Sequence, residues 1–244
     1  MTGMAPETVA SLYSDLPDEM EEHAMTYTKE YLDKIQKELN TAVLCDILDD
    51  LGYRHQAMDG NLYPLEEDYK LVGVARTVLA YDVYEQPKEA YATEIEAVDS
   101  LREGDIAVCA NKSCNNGFWG ELMTNAAIAR GARGAIIDGA IRDITQIKAL
   151  RDQFMLFTKG RNPLDSKGRC LVADYDCPID CAGVRVCPGD LVFGDIDGIV
   201  VVPGDVVDEV VEKAFEKIAG ENLVRDALRS GMLLKDAFAK YGIL

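Results

Sequence analysis

The side chains best suited to chemistry fall in one stretch, Gly120–Asp143, which reads GELMTNAAIARGARGAIIDGAIRD. At its far end Arg142 adjoins Asp143. A guanidinium is a planar fork that matches carboxylate or enolate oxygens. A carboxylate is a hard oxygen ligand of the kind Mg²⁺ accepts, often with only one or two protein carboxylates and several retained waters. At the near end, Gly120, Glu121, Leu122 and Met123 open a helix. The first N–H groups of a helix lack internal partners, and the helix dipole places partial positive charge on them, so carboxylates and phosphates bind there. Gly120 has no Cβ to keep a ligand away. Such a corner could hold an anionic substrate and a hard cation together. Each piece also has a plain structural reading. Asp143 could cap the next helix, Arg142 could make a surface ion pair, and Trp119 of NNGFWG could either wall a pocket or pack on the core.

These residues need elements to hold them. Leu32, Ile35, Leu39 and Val43, then Ile47, Leu48 and Leu51, predict a helical segment from Tyr27 to Gly52, divided in two if Thr41 caps a second helix. LVGVARTVLAYDVY (71–84) is rich in β-branched residues and reads as a strand, followed by a helix over 87–101 and a strand at DIAVCA, 105–110. NKSCNNGFWG then reads as a loop, 121–130 as a helix and GAIID, 134–138, as a strand. Gly139 is expected to turn the chain sharply, which would place Arg142 and Asp143 at the start of the next helix. Short strands are expected at 154–157, 170–175, 183–187, 191–194 and 198–202, and helices close the chain. No repeat period appears, so the residues predict one α/β domain with a strand-rich second half.

Composition narrows the function classes. The 43 acidic and 25 basic residues give a net charge of −18, a surface that repels phosphate backbones and anionic membranes, so neither is expected as a partner. No apolar run reaches the roughly 18 residues of a membrane helix. The first residues have neither a basic region nor an apolar core, so a signal peptide is not expected and a cytoplasmic location is. Seven cysteines, an odd number, fit a reducing compartment. Cys170, Cys177, Cys181 and Cys187 lie close together but lack paired C-x2-C knuckles, and His23 and His55 are far upstream. We read these cysteines as small buried hydrophobes rather than as a zinc site.

The assembled pattern resembles a known family. Gly120-Glu121-Leu122 followed by GARGAIIDGAIRD at 131–143 is similar to the RraA-like family (regulator of ribonuclease activity A-like), which includes the 4-hydroxy-4-methyl-2-oxoglutarate/4-carboxy-4-hydroxy-2-oxoadipate aldolases. CDIL at 45–48, VGVARTV at 72–78, REGDIAV at 102–108 and PGDLVFGDIDGIVVVP at 188–203 extend the resemblance over about residues 40 to 220. The 22-residue step from Gly120 to Arg142 also matches.

The resemblance implies an αββα sandwich related to the phosphohistidine swivelling domain, assembled as a homotrimer or homohexamer with sites between subunits. It divides the chain into a polar arm (1–26), the RraA-like domain (27–220) and a helical tail (221–244). It implies a metal-dependent aldolase that releases pyruvate from a 4-hydroxy-2-oxo acid, with oxaloacetate decarboxylation alongside. The amides of Gly120, Glu121, Leu122 and Met123 would hold the pyruvyl carboxylate and Arg142 the substrate. Asp143 would anchor Mg²⁺ or Mn²⁺ through water, and Glu121 would hold metal-bound water or shuttle a proton. Glu221, in AGENLVR, is the candidate for an acidic group supplied by a neighbouring subunit. The rival expectation, from other members, is a non-catalytic protein-binding regulator of a ribonuclease.

Overall fold

Thr28 and Asn40 each end an extended segment and start a helix: the Thr28 side chain accepts the N–H of Tyr31, and Asn40 accepts that of Val43. The segment predicted over 27–52 is thus two helices, α1 (Lys29–Glu38) and α2 (Thr41–Asp50). The cap is Asn40, one residue before the expected Thr41, whose hydroxyl instead donates to Asp195. The computed structural model describes residues 27–85, 88 and 91–243, so the 1–26 arm lies outside the described residues.

The chain continues through β1 (Tyr63–Pro64), β2 (Leu71–Asp82), α3 (Ala92–Asp99), β3 (Asp105–Ala110), β4 (Gly117–Trp119) and α4 (Glu121–Ala129). Next come β5 (Gly134–Ile141), α5 (Ile144–Lys148), β6 (Met155–Arg161), β7 (Cys170–Tyr175), β8 (Ile179–Cys181) and β9 (Val184–Val186). It closes with β10 (Leu191–Asp195), β11 (Gly198–Val202), α6 (Val207–Arg229) and α7 (Leu234–Tyr241). The curled main sheet runs β1-β6-β5-β3-β2-β10-β11, with β4 added to β5 and β7 to β2. Its centre, β2, β3, β5 and β6, is parallel, and β10 and β11 extend it antiparallel. All of β3 and β5 is buried, which explains why they are apolar apart from Asp105 and Asp138. One core gathers around these central strands and takes in the β8–β9 hairpin. A second joins α1, α2 and α6 to Val72, Leu191, Phe193, Val200 and Val202.

Two expectations are corrected. First, Gly139 does not turn the chain, because β5 runs on through it to Ile141. A Cβ there would lie 2.7 Å from the Ser113 carbonyl and 3.0 Å from Asn111 Nδ2, so glycine serves close packing. Second, the stretch read wholly as a loop contains β4, which pairs parallel to β5. At three residues it is too short to show a periodicity. The α6 helix, in turn, passes through residue 220 without a break.

Candidate functional site

The register of β4 on β5 builds the corner. Trp119 pairs with Ile141, and the Arg142 N–H donates to the Trp119 carbonyl at 2.9 Å, so the next residues, Gly120 and Arg142, emerge side by side. Both lie at the carboxyl ends of parallel strands, where open α/β sheets place their ligands. Gly117 permits this approach, since a Cβ there would lie 2.4 Å from the Asn162 carbonyl and 2.9 Å from Arg142 Cβ.

Asp143 adopts a left-handed conformation, φ 60°, at the N-cap position of α5, yet its side chain caps no N–H of that helix. The carboxylate turns to α4 instead, where Oδ2 accepts the Glu121 N–H at 3.1 Å. Its Oδ1 has no partner among the described residues. Arg142 extends between two carboxylates, with Nε 3.8 Å from Asp143 Oδ2 and Nη1 3.3 Å from Asp165 Oδ1. The Leu122 and Met123 N–H groups donate to no protein acceptor among the described residues, as the start of a helix dictates. Gly120, Arg142, Asp143 and the opening turn of α4 therefore lie together in one corner, where one of the four amides, that of Glu121, is already engaged.

Other expected residues stand apart. The Glu121 carboxylate accepts from Asn125 one turn along α4. Trp119 is a core residue, stacked on Phe154 with its Nε1–H donating to Thr124 Oγ1 at 2.9 Å. Glu221, on α6, borders a hollow of about 450 Å³ with Glu38, Asn40 and Arg225. A larger hollow of about 650 Å³ lies at the opposite end of α4, beside Arg130 and Arg133. Neither hollow includes Gly120, Arg142 or Asp143. Cys170 and Cys181 are buried in the core with free thiols.

Three residues escaped sequence reasoning: Asp165, Tyr91 and Glu94. Asp165 accepts the Tyr91 hydroxyl at 2.8 Å. Burial pushes its carboxyl upward, but this is outweighed by the Tyr91 bond, the Arg142 charge and the Lys167 and Ser166 amides, so it titrates below the usual carboxylate range. Burial, then the bond to Asp165, raise the Tyr91 phenol to about 12. Glu94, in the first turn of α3 and three residues past the Tyr91 N-cap, is raised to about 7 by burial and by Asp165, with Arg142 opposing. Asp165 lies in the turn NPLDSKGR and had no periodicity to mark it, and no local signal links it to Tyr91.

The donor set suits a weakly held hard cation. No group of three or more His, Cys, Asp or Glu side chains arranged to hold a metal occurs among the described residues, so one chain builds no closed cage here. Asp143 nonetheless keeps one oxygen free in a half-exposed position, which fits an ion that retains water and gains ligands from its substrate.

A family model described as RraA-like, Aldolase/RraA, matches residues 41–201. The chain belongs to the RraA-like family. Among RraA-like relatives, it is 31% identical over 199 residues to a provisionally named 4-hydroxy-4-methyl-2-oxoglutarate aldolase of Halalkalibacterium halodurans, covering 81% of this chain and 89% of that one. It is 29% identical over 205 residues to the protein DlpA of Legionella pneumophila, covering 83% of this chain but only 32% of DlpA, so the chain spans about a third of that relative. The crystal structure of Streptomyces coelicolor RraAS2, described as an unusual member of the RNase ES inhibitor RraA family, superposes with a TM-score of 0.71 at 27% identity, over 82% of this chain and 97% of that one. The corner from Gly120 to Asp143 falls inside the RraA-like segment, whereas Glu221 falls outside it. No helix among the described residues is long and apolar enough to cross a membrane.

Proposed function

We propose that the protein is a divalent-metal-dependent lyase. It cleaves a 4-hydroxy-2-oxo acid of the 4-hydroxy-4-methyl-2-oxoglutarate type to pyruvate, and it decarboxylates oxaloacetate. The observation that carries the proposal is the meeting of three groups in one corner: the free amides that open α4, the Arg142 guanidinium and the Asp143 carboxylate.

Both reactions pass through a pyruvate enolate, so the site must hold a carboxylate and stabilise charge growing on the neighbouring oxygen. The Leu122 and Met123 amides take the carboxylate at the positive end of α4. Arg142 presents its fork to the keto oxygen and favours the form in which that oxygen is negative. Asp143 would hold Mg²⁺ or Mn²⁺, and the bound cation would supply Lewis-acid stabilisation of the developing oxyanion. Glu121, whose carboxylate accepts from Asn125 here, would have to turn toward the corner to hold or move a proton. The apolar rim favours a site completed by a neighbour, because Leu122 is 80% exposed, and Ile95 and Leu164 are also exposed. A homotrimer or homohexamer would cover that rim and could bring in Glu221.

The test is direct. EDTA-stripped protein is expected to release no pyruvate from oxaloacetate and to regain turnover with Mg²⁺ or Mn²⁺. Metal-independent turnover, or full activity in Asp143→Ala, would sink the proposal. A second reading, a ribonuclease-binding regulator, draws support from the likeness to RraAS2. Capture of a ribonuclease by the purified protein, together with absent lyase turnover, would reverse the ranking.

A further inference from the structure

Arg142 lies between two carboxylates. Asp143 stands near its Nε edge, and Asp165 reaches its Nη1. Nη2 has no partner among the described residues, which leaves one edge of the fork for a substrate oxygen. Of the two carboxylates, Asp165, the more distant in sequence, makes the shorter contact.

Asp165 is itself fixed to the strands that carry the corner. The Gly117 N–H donates to the Leu164 carbonyl at 2.8 Å, and Gly117 forms a β-bridge with Asp165. The Asn162 N–H donates to the Ile141 carbonyl at 3.0 Å, and its side-chain amide to the Cys114 carbonyl at 2.8 Å. Arg169 Nη1 donates to the Asp165 carbonyl at 3.1 Å, and the Tyr91 hydroxyl holds Oδ2 at 2.8 Å. The 162–165 segment thus moves with β4 and β5, and the Asp165 carboxylate has one oxygen for Tyr91 and one for Arg142.

Stability does not account for this arrangement. The Arg142 and Asp165 side chains are 35% and 38% exposed, and ion pairs so open to water contribute little to folding. Geometry does account for it, because an arginine serving an oxyanion must hold its fork in one plane before the charge forms.

We propose that Asp165, locked by Tyr91, is the positioning residue that holds the Arg142 guanidinium for the substrate oxygen. The inference rests on the lyase reading for its kinetic consequence but not for its structural one. A clamped guanidinium rotates slowly about its C–N bonds and gives separate Nη1 and Nη2 resonances, whereas a free one gives an averaged signal.

The experiment therefore has two arms, run on the full-length protein. In ¹⁵N spectra at low temperature, the Arg142 signals are identified by their loss in Arg142→Lys. They are expected to be resolved in the native protein, and averaged in Asp165→Asn and broadened in Tyr91→Phe. In Mg²⁺-dependent pyruvate release, Asp165→Asn is expected to lose roughly 10- to 100-fold, the scale of a misplaced catalytic group, mostly in kcat rather than KM. Tyr91→Phe is expected to lose less, with the melting temperatures of both variants close to native. If the native protein turns nothing over, the lyase reading fails and the ¹⁵N arm alone decides the clamp. Arg142 signals that are averaged in the native protein, or unchanged in both variants, would overturn it, as would unaltered kcat in an active enzyme.

Discussion

Asp143 Oδ2 accepts the Glu121 N–H at 3.1 Å, so the carboxylate that follows β5 caps the helix that follows β4. One short side chain thus ties together the two elements that form the corner. Asn at 143 keeps an acceptor for that N–H and tolerates the left-handed backbone, whereas Ala loses the cap and strains the φ of 60°. Urea unfolding should show Asp143→Asn close to native and Asp143→Ala weaker by about 2 kcal/mol. Both should lose at least roughly 100-fold in oxaloacetate turnover, because neither supplies an anionic oxygen to the cation. An active Asp143→Asn enzyme would show that the carboxylate serves the fold alone.

Gly120→Ala separates site geometry from folding. The backbone there is extended, φ −140°, which any residue adopts. A Cβ would nevertheless lie 2.7 Å from Asp143 Oδ2 and 3.4 Å from Arg142 Nε, so the carboxylate must leave its place on Glu121. The expected result is a melting temperature lowered by a few degrees, corresponding to about 1 kcal/mol for a lost cap, with turnover down by roughly two orders of magnitude. Native turnover in this variant would mean that the Asp143–Glu121 contact is dispensable.

Legibility followed the length of the signal. DIAVCA and CLVADY coincide with β3 and β7, because six residues are long enough to show the near-continuous apolar run of buried β3 and the alternating burial that opens β7. Arg142 and Asp143 were readable as a pair because their chemistry is unusual and they adjoin in sequence. β4 was not readable, since Gly117-Phe118-Trp119 is too short for a period and looks like the glycine-rich turn around it. Missing β4 also hid why Gly120 meets Arg142, which is a matter of strand register rather than of helix and turn. Asp165 and Tyr91 were hidden for a different reason. They lie 74 positions apart, and their contact is made only once the sheet has formed.

Glu94 gives the protein a specific pH signature. Burial, then the Asp165 charge, raise its carboxyl from 4.5 to about 7. A carboxyl raised in the folded state binds protons more tightly there than when unfolded, so its contribution is fully present below about pH 4.5 and lost as pH rises through about 7. Glu94→Gln removes that penalty. The variant should match the native protein near pH 4.5 and exceed it at pH 8 by at most about 3 kcal/mol, since raising a pKa by one corresponds to about 1.4 kcal/mol. Thermal unfolding across that range checks it. A stability difference that does not change with pH would mean that Glu94 does not titrate in this window.

The far side of the sheet offers a control that touches folding alone. Asp195, buried at the end of β10, takes the Thr41 N–H at 2.9 Å and the Thr41 hydroxyl at 2.7 Å, joining the start of α2 to the β10–β11 turn. Its Oδ1 also accepts the Asp197 N–H at 3.0 Å. Asp195→Ala leaves buried donors with no acceptor, so the expected cost is about 3 kcal/mol, whereas Thr41→Val removes only the hydroxyl bond and should cost about 1.5 kcal/mol. The double variant should cost less than the sum, because both changes break the same bond. β10 lies three strands from β5, so turnover per folded molecule should stay native in all three. A selective loss of kcat would show that the α2–β10 junction reaches the Arg142 corner after all.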